Sequence, residues 1–474
     1  MELDPKYQNQ NAIGNSLELT ACESDKAFET ALVMKPTHLL LPVLLLATPI
    51  LLPRVASAAD AQSKVLEDIQ RFAEPSRWIY NDLDRGIAEA KRTNKPLLVI
   101  FRCVPCIACS AFDKRVLEKD NEIVDLLDLF VCVRIIHGNG MDLSLFQFDY
   151  DQSFHVFFLN PDKTIYGQFG TRSFRKEEED MTMEAMRKAM LGALELHSRF
   201  PEVKASLAAK RGPAPTVAHP ENYPNLQGKF DAKLSTEGNV AKSCIHCHQI
   251  RESDRLTYRN TGKPIPDEVL YPYPLPDVLG MRFNPKERAT LAAVEDGSVA
   301  SRAALQAGDK LISLNGQPLL SIADVQWVLQ TTGPTATLKA EIERDGKRQS
   351  KSLTLPAGWR HGDISWRTTT WDLRRMVLGG LVLESLPDAE RQKLGLAKTS
   401  LALRVKYVGQ YNEHAAAKKA GFQVGDVIVD VDGQRAPLTE SQLIATTLTR
   451  PKGTSVPFQI RRGDQSLELS MPMQ

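Results

Sequence analysis

The C-terminal half of this 474-residue chain carries the same short pattern twice. Residues 308–316 and 425–433 each run from a Gly-Asp turn through alternating apolar residues to an Asn-Gly or Asp-Gly turn. Such a turn, period-two strand and second turn are typical of a β-hairpin. A helical pattern follows each copy, at residues 322–330 and 440–448. The repeat therefore predicts two small β-rich modules in tandem.

These two segments, residues 277–357 and 376–474, resemble PDZ domains. The resemblance implies partly open β-barrels in which a peptide C-terminus or extended segment adds a strand to a sheet edge, while loop N–H groups hold its carboxylate. Glycines suit that loop because a backbone without Cβ lets several amides converge on an anion. By the resemblance, the peptide-binding positions are Leu279, Gly280, Met281, Gly379, Gly380 and Leu381.

Both copies depart from the family pattern. The second has an insertion at residues 387–399, and residues 358–375 form a connector before it. Neither helix begins with the histidine that some PDZ domains use to recognise a hydroxyl group, so the class of peptide stays open. The alternative is a pair of structural β-modules that bind no peptide.

Residues 59–200 show alternating helix and strand patterns, as in an α/β fold. We predict helices at residues 81–93, 108–117, 123–127 and 181–197, and strands at residues 96–101, 130–136, 154–159 and 164–169. Cys103, Cys106 and Cys109 fall where a predicted strand ends and a predicted helix begins. Helix N-terminal amides and the charge of Arg102 favour thiolate there.

This N-terminal segment resembles thioredoxin-like proteins, because residues 103–106 read Cys-Val-Pro-Cys where the family has Cys-Gly-Pro-Cys. The resemblance implies a thioredoxin-like α/β sandwich with Cys103 as the attacking thiol and Cys106 as the resolving thiol. Two departures stand out: Arg102 replaces the usual tryptophan, and Phe154-His155 stands where the family has a cis-proline.

The third cysteine of the cluster opens other interpretations. Cys106 and Cys109 form a second C-x-x-C pair, and the whole C-x-x-C-x-x-C run could bind a soft metal such as copper, with His137 or His155 as a further ligand. A structural disulfide without turnover is the remaining alternative. Cys132, alone in an apolar run, is expected to be an inert core thiol.

Residues 244–248 read Cys-Ile-His-Cys-His, the C-x-x-C-H spacing used to attach a c-type haem. In this interpretation Cys244 and Cys247 form thioethers to haem c, and His248 ligates the haem iron. The segment, residues 225–276, follows a Pro-bearing linker at residues 201–224. The segment is short for an independent cytochrome core. The haem would therefore be either partly covered by neighbouring domains or open, with a five-coordinate iron. The distal ligand stays open among Met281, Met376, His219, His361 and His414.

The N-terminus predicts export. Met34-Lys35, an apolar run at residues 39–52 and an Ala-x-Ala site before Ala59 follow the order of a signal peptide. We expect translation to start at Met34, residues 1–58 to be a leader, and the mature protein to be periplasmic or secreted without a stable membrane span. An uncleaved anchor is the alternative. Export also favours covalent haem, which is attached outside the cytoplasm.

Composition excludes some classes of function. The 59 basic and 58 acidic residues nearly cancel, and no long run of one charge appears, which argues against nucleic acid as the main partner. Gly14-Asn15-Ser16 lacks the Gly-Gly that would follow a protease serine, so a serine protease is not expected.

Together these patterns predict an exported, multidomain α/β plus β-rich protein with a possible redox partner. Its PDZ modules would bind partner proteins. Its thioredoxin-like thiol site and haem c would exchange thiols and disulfides, or electrons, with those bound partners. Two alternatives remain: a non-catalytic PDZ scaffold or chaperone-like peptide-binding protein with structural cysteines, and a haem-based sensor with an open iron site.

Overall fold

The structure, a computed structural model, describes residues 58–73, 76–106, 108–118 and 122–474. Residues 1–57 of the predicted leader, including Cys22 and Met34, lie outside the described ranges. Within the described ranges, no helix is both long and apolar enough to cross a membrane.

A mixed five-stranded sheet, in the order β1-β3-β2-β4-β5, forms the centre of the N-terminal α/β unit (residues 58–200). Strands β1, β3 and β2 are parallel, whereas β4 and β5 continue the sheet in antiparallel pairing. The elements of the unit are α1 (Ala58–Arg71), β1 (Trp78–Tyr80), α2 (Leu83–Thr93), β2 (Leu97–Arg102), α3 (Ser110–Val116), α4 (Val124–Leu127), β3 (Val131–Ile135), β4 (Phe154–Leu159), β5 (Ile165–Phe169), α5 (Glu177–Asp180) and α6 (Met183–Ser198). This confirms the expected α/β sheet.

The central strand β2 explains how the unit folds. All six of its residues are buried, because the sheet is covered on both faces. One face, with Leu98 and Ile100, packs under α3 and α6. The other face, with Val99 and Phe101, packs under α2 and under residues that come from beyond residue 200. Cys103 follows β2 directly and therefore lies at the carboxyl edge of the sheet.

Residues 201–276 pack against the α/β unit. Helix α7 (Lys204–Leu207) and short helical turns at residues 208–210 and 220–222 come first, and α8 (Cys247–Asn260) and α9 (Asp267–Leu270) follow. Residues 201–224, predicted as a linker, place Leu207 and Tyr223 in the two cores of the α/β unit, each 2% exposed. The polar and Pro-rich composition concealed these anchors, because only a few apolar side chains make the contact.

The first β-module contains a short hairpin and a four-stranded sheet in the order β11-β10-β8-β9. Its elements are β6 (Met281–Phe283), β7 (Leu291–Val294), α10 (Val299–Arg302), β8 (Lys310–Leu314), β9 (Gln317–Pro318), α11 (Ile322–Gln330), β10 (Ala336–Arg344) and β11 (Lys347–Leu355). The turns predicted from the repeat are present, since Asn315 and Gly316 both have positive φ between β8 and β9.

The second β-module is one antiparallel sheet in the order β12-β13-β14-β15-β16. Its elements are α12 (Thr370–Leu378), β12 (Leu381–Ser385), α13 (Asp388–Lys393), β13 (Leu403–Val408), α14 (Ala416–Lys419), β14 (Val427–Val431), α15 (Glu440–Thr447), β15 (Ser455–Arg462) and β16 (Gln465–Pro472). The insertion at residues 387–399 forms α13. The two antiparallel modules agree with the expected tandem β-rich half.

A buried arginine joins the connector to the α/β unit. Arg367 is 4% exposed, and its guanidinium contacts Asp149 at 2.7 Å and Asp151 at 3.2 Å. It also donates to the carbonyls of Pro272 and Tyr273. Three separate parts of the chain therefore meet at one charge, and both carboxylates depend on it for compensation.

Replacing Arg367 should destabilise the whole assembly. An Arg367→Met variant removes the ion-pair partner of two buried carboxylates, which we expect to cost about 3–5 kcal/mol. Urea unfolding followed by far-ultraviolet circular dichroism measures this loss. Arg348→Met, at an exposed position of β11, is the matched control and should unfold like the wild type. Equal midpoints for both variants would contradict the importance of Arg367.

Candidate thiol site

The predicted active pair, Cys103 and Cys106, is brought together at the end of β2. Their sulfur atoms are 2.7 Å apart, within reach of a disulfide bond. The turn is fixed by its backbone, because Cys106 N–H donates to the Cys103 carbonyl and Cys103 N–H donates to the Ser153 carbonyl. Cys103 is buried at 6% exposure, whereas Cys106 is half-buried. The geometry is that of a two-cysteine couple.

The helix after the cysteines begins later than the sequence indicated. Helix α3 starts at Ser110, whereas the prediction placed its start at residue 108. Cys109 precedes it with a φ of +59°, a left-handed conformation that interrupts helical continuity. Cys103 therefore precedes the first helical residue by seven positions and does not itself belong to the first turn of the helix. The activation of Cys103 by helix amides stays a prediction from the sequence.

Arg102 clamps the cysteine turn instead of facing solvent. It is 4% exposed, and it donates to the carbonyls of Cys103 and Cys106 at 2.5 and 2.8 Å. Its Nε lies 3.2 Å from Asp113, which also pairs with Arg134 at 2.8 Å. Because Asp113 compensates the charge, this arginine positions the turn where the thioredoxin-like family usually has tryptophan.

Cys109 and His155 do not join the pair. The Cys109 sulfur belongs to the apolar core beneath the turn, and burial raises the pKa of this thiol. His155 is 2% exposed, with its two ring nitrogens each 2.9 Å from a glutamine side chain, Gln152 and Gln168. Burial lowers the pKa of His155 to about 3, so the ring is neutral. In the Phe154-His155 pair, which stands where the family has a cis-proline, the histidine is thus held by two side-chain hydrogen bonds.

A metal at this cluster gains no support. Among the described residues, no group of three or more His, Cys, Asp or Glu side chains is arranged to hold a metal ion. Both nitrogens of His155 are engaged in hydrogen bonds, as described above. Burial lowers the pKa of His137, the other suggested ligand, to about 4. The copper interpretation stays a prediction from spacing alone.

The C-x-x-C-H segment lies directly over the thiol pair, which the sequence did not indicate. His246 Nδ1 is 3.3 Å from the Cys103 sulfur. Ile245, with no exposed surface, is inserted into the core of the α/β unit. Its N–H donates to the Asn139 side chain, and its carbonyl accepts from Gly138 N–H at 2.7 Å. These contacts hold a segment that is more than a hundred residues distant in sequence against β2.

The two cysteines of that segment are also drawn into the site. Cys244 is 4% exposed, and its sulfur lies 3.6 Å from the Ile136 carbonyl. Cys247 is the first residue of α8 and packs against the core that holds Ile245. Burial, and secondarily the nearby Cys106, raises the pKa of the Cys247 thiol to about 12. Four cysteines from two C-x-x-C pairs therefore share one region.

The residues of the segment fit a covalent haem only in part. His248 would be suited to ligate iron, because Glu252 lies 3.2 Å from Nδ1 and leaves Nε2 free of that contact. Although burial opposes protonation of His248, Glu252 raises its pKa to about 9. Cys244 does not fit. The sulfurs of Cys244 and Cys247 would both have to reach the vinyl groups of the haem, whereas the Cys244 sulfur is buried against the Ile136 carbonyl. Haem c stays a prediction from the sequence.

The suggested distal ligands are distributed through the two β-modules and the covering segment. Met281 and Met376 are core residues, with 1% and 0% exposure. His361 Nε2 contacts Asp267, His414 stacks on Trp371, and His219 contacts the Met141 carbonyl. The structure thus gives each of these side chains a local partner or core position.

The groove of the second β-module is occupied by a side chain of its own. Leu383 N–H, on the edge of β12 that faces α15, donates to Glu440 at 2.7 Å. Glu440 is buried and forms a bidentate ion pair with Arg374. A peptide strand added at this edge would have to displace Glu440 from Leu383. In the loop before it, Gly380 N–H is bonded to the Arg374 carbonyl, and Leu381 is a core residue.

The first β-module places its groove helix against the α/β unit. Asp324 of α11 accepts from Lys210 at 2.7 Å and from Gln168 N–H of β5 at 3.1 Å. Trp327 of the same helix donates to the Ala209 carbonyl. In the predicted loop, Gly280 has a φ of +76°, while Leu279 and Met281 are core residues. One wall of this groove is therefore also a domain interface.

Comparison with known proteins supports the two halves separately. A family model described as thioredoxin-like matches residues 78–161, and a PDZ domain model matches residues 290–341. A probable periplasmic serine endoprotease DegP-like from Pseudomonas savastanoi pv. phaseolicola is 30% identical over 178 residues, covering 37% of this chain and 35% of the relative. The periplasmic pH-dependent serine endoprotease DegQ of Escherichia coli K12 is 28% identical over 184 residues, covering 39% and 36%.

The chain thus spans about a third of the length of these curated relatives. Among solved structures, the HtrA3 PDZ domain bound to a phage-derived ligand (FGRWV) is 21% identical, with a TM-score of 0.16, and covers 20% of this chain and 82% of that one. The HtrA-type protease AlgW with a decapeptide is 17% identical, with a TM-score of 0.20, and covers 33% and 44%.

The buried, neutral state of His155 predicts acid sensitivity. Its pKa is about 3 in the fold and about 6.5 in an unfolded chain, so below pH 6.5 only the unfolded chain takes up the proton. Stability is therefore complete above about pH 6.5 and falls by about 1.4 kcal/mol for each pH unit on acidification towards 3.

A His155→Gln variant should lose this part of the pH dependence. Urea unfolding between about pH 4 and 7 measures the slope for wild type and variant. The exposed His361→Gln is the control and should keep the wild-type slope. If His155→Gln shows the same slope as the control, His155 is not the group responsible.

Proposed function

We propose that this protein is an exported thiol–disulfide exchange protein whose β-modules bind peptide segments of its partners. The observation that carries the proposal is the pair Cys103 and Cys106, with sulfurs 2.7 Å apart at the carboxyl end of a thioredoxin-like central strand. Export is supported by the sequence of the leader and by relatives named as periplasmic. The activity is a proposal for the whole chain.

The chemistry needs only the two sulfurs and a disulfide substrate. One thiol of the pair, as thiolate, attacks a substrate sulfur, and the substrate disulfide breaks to give a mixed disulfide and a substrate thiolate, which takes up a proton. The second thiol then attacks the first, closing the Cys103–Cys106 disulfide and releasing the reduced substrate. The hydrogen bond between Cys106 and Cys103, together with burial, raises the pKa of Cys106, so this thiol stays protonated until the second step. That behaviour suits the resolving position implied for Cys106.

Peptide binding is proposed for both β-modules on the basis of their folds. The PDZ model matches the first module, and the second is also an antiparallel sheet, with β12 as an edge strand whose Leu383 N–H bonds Glu440. Binding of an extended segment would bring a partner close to the thiol pair and raise the effective concentration of its disulfide. Haem c is left out of the proposal, because Cys244 is packed as described above.

Removing one sulfur should abolish exchange. Cys103→Ser is expected to lower the rate of reduction of a disulfide-bonded test protein by more than about a thousandfold, since neither mixed-disulfide step can be completed. Reduction is followed by precipitation of insulin chains, with dithiothreitol as the electron source. Cys132→Ser, which removes a buried thiol far from the pair, should keep wild-type activity. A wild type without activity would favour the scaffold alternative.

Freeing the edge of β12 should strengthen peptide binding. The double variant Arg374→Met/Glu440→Leu removes the carboxylate from Leu383 N–H and leaves no unpaired charge behind. We expect binding of a peptide to tighten by up to about tenfold, because one competing hydrogen bond is lost. The probe is a C-terminal peptide selected on the wild-type protein from a library, and fluorescence anisotropy measures its Kd.

The control for this experiment is Lys398→Met, which removes an exposed ion pair with Asp388 in the same module without touching β12. It should bind the peptide as the wild type does. Unchanged or weaker binding by the double variant, with a wild-type circular dichroism spectrum, would show that this edge is not the peptide site.

A further inference from the structure

The attacking sulfur of the thiol pair faces protein rather than solvent. Cys103 is 6% exposed, and the group over its sulfur is His246 Nδ1 at 3.3 Å. His246 lies between Cys244 and Cys247 in the chain, so a second C-x-x-C pair frames the group that covers the first. A disulfide of another protein would first contact the residues that cover Cys103. The Cys244/Cys247 pair of the same chain, in contrast, already lies beside this sulfur.

The covering segment is built in rather than loosely placed. Ile245 is fully buried, and its N–H and carbonyl are both hydrogen-bonded to residues that follow β3, Asn139 and Gly138. The Asn139 side chain also donates to the carbonyls of Asp231 and Ser243, which fixes both approaches to the segment. Because His246 lies 3.3 Å from the Cys103 sulfur and stands between Cys244 and Cys247 in the chain, the two pairs lie beside each other.

We propose that Cys244 and Cys247 form a second dithiol–disulfide couple that exchanges directly with the Cys103/Cys106 couple inside the same chain. This inference rests on the proposed function only in taking the first pair as redox-active. It assigns the C-x-x-C-H segment to thiol chemistry.

The exchange is balanced without any further reactant. Starting from a Cys103–Cys106 disulfide, the Cys247 sulfur attacks the Cys106 sulfur, a Cys106–Cys247 bond forms, and the Cys103–Cys106 bond breaks. The proton lost by Cys247 is matched by the proton that Cys103 gains.

The second half-step follows the same pattern. Cys244 attacks Cys247, the Cys244–Cys247 disulfide closes, and Cys106 leaves with a proton. In total, two electrons and two protons pass from the second couple to the first, and the reverse direction is equally balanced. The half-buried Cys247, at the start of α8, then offers the second couple a route to an external partner.

Trapping the crossed disulfide tests the inference. In Cys103→Ser/Cys244→Ser, only Cys106 and Cys247 remain of the four sulfurs, so oxidised glutathione should convert them to a stable cross-link. Peptide mapping by mass spectrometry identifies it, and its rate should exceed that of the Cys103→Ser/Cys247→Ser control by at least about tenfold, because the control lacks the aligned pair. A rate equal to the control overturns the inference.

A single variant guards against misfolding of the double one. Cys244→Ser keeps the first couple but cannot resolve the intermediate, so the Cys106–Cys247 cross-link should accumulate in folded protein. Its absence in both folded variants overturns the inference. Covalent haem on Cys244 and Cys247, seen as a haem spectrum that stays with the denatured chain after expression with a cytochrome c maturation system, overturns it as well.

The trapping result is separate from the insulin assay. A cross-link together with no reduction of insulin supports the internal couple and refutes the proposed external activity. Reduction of insulin that depends on Cys103, without the cross-link, supports the proposed external activity and refutes the internal couple. Each result therefore assigns its failure to one proposal only.

Discussion

The insertion of Ile245 into the second core of the α/β unit determines how the rest of the molecule is arranged. Burial of such a side chain contributes about 1.5–3 kcal/mol, and the two main-chain hydrogen bonds of Ile245 fix its direction. Once this residue is in place, His246 must lie over Cys103 and helix α8 must begin at Cys247. The helix then leads the chain towards the connector and the second β-module.

Buried arginines make the remaining connections between the parts. Arg255 of α8 has no exposed surface and donates to the Thr369 carbonyl and hydroxyl, while Arg367 pairs with two aspartates of the α/β unit. Arg102 similarly holds the cysteine turn. A guanidinium suits such places because its five donors can satisfy several carbonyl groups at once. The modules are therefore joined by charge-assisted hydrogen bonds as well as by apolar contacts.

Local patterns in the sequence predicted the sheet well. The apolar runs that form β2, β4 and β5 each carry their signal within a few residues, so the strands followed from periodicity. The glycine-rich repeat likewise predicted the hairpins of both β-modules, because Asn-Gly and Asp-Gly turns need little context.

The arrangement of the thiol site could not be predicted in the same way. His246 and Cys103 are 143 positions apart, and no local pattern links them. The C-x-x-C-H spacing has the same form whether it attaches haem or covers a thiol pair. The signal that could have helped was Ile245, an apolar residue inside an otherwise polar motif, which fits burial against a sheet better than it fits solvent. Similarly, Glu440 has the position of an ordinary acid in the first turn of a helix, and no local pattern indicates its contact with Leu383.

The docking of α11 on β5 gives the two halves of the protein a shared mechanical element. Gln168 donates its N–H to Asp324 on α11, and its side chain contacts His155, which follows the Phe154 at the start of β4. Gln168 therefore belongs to both parts of the molecule, because its N–H bonds the helix of the first β-module and its side chain bonds the neutral imidazole of His155. The packing of that module and the surroundings of the cysteine turn thus share one continuous series of hydrogen bonds.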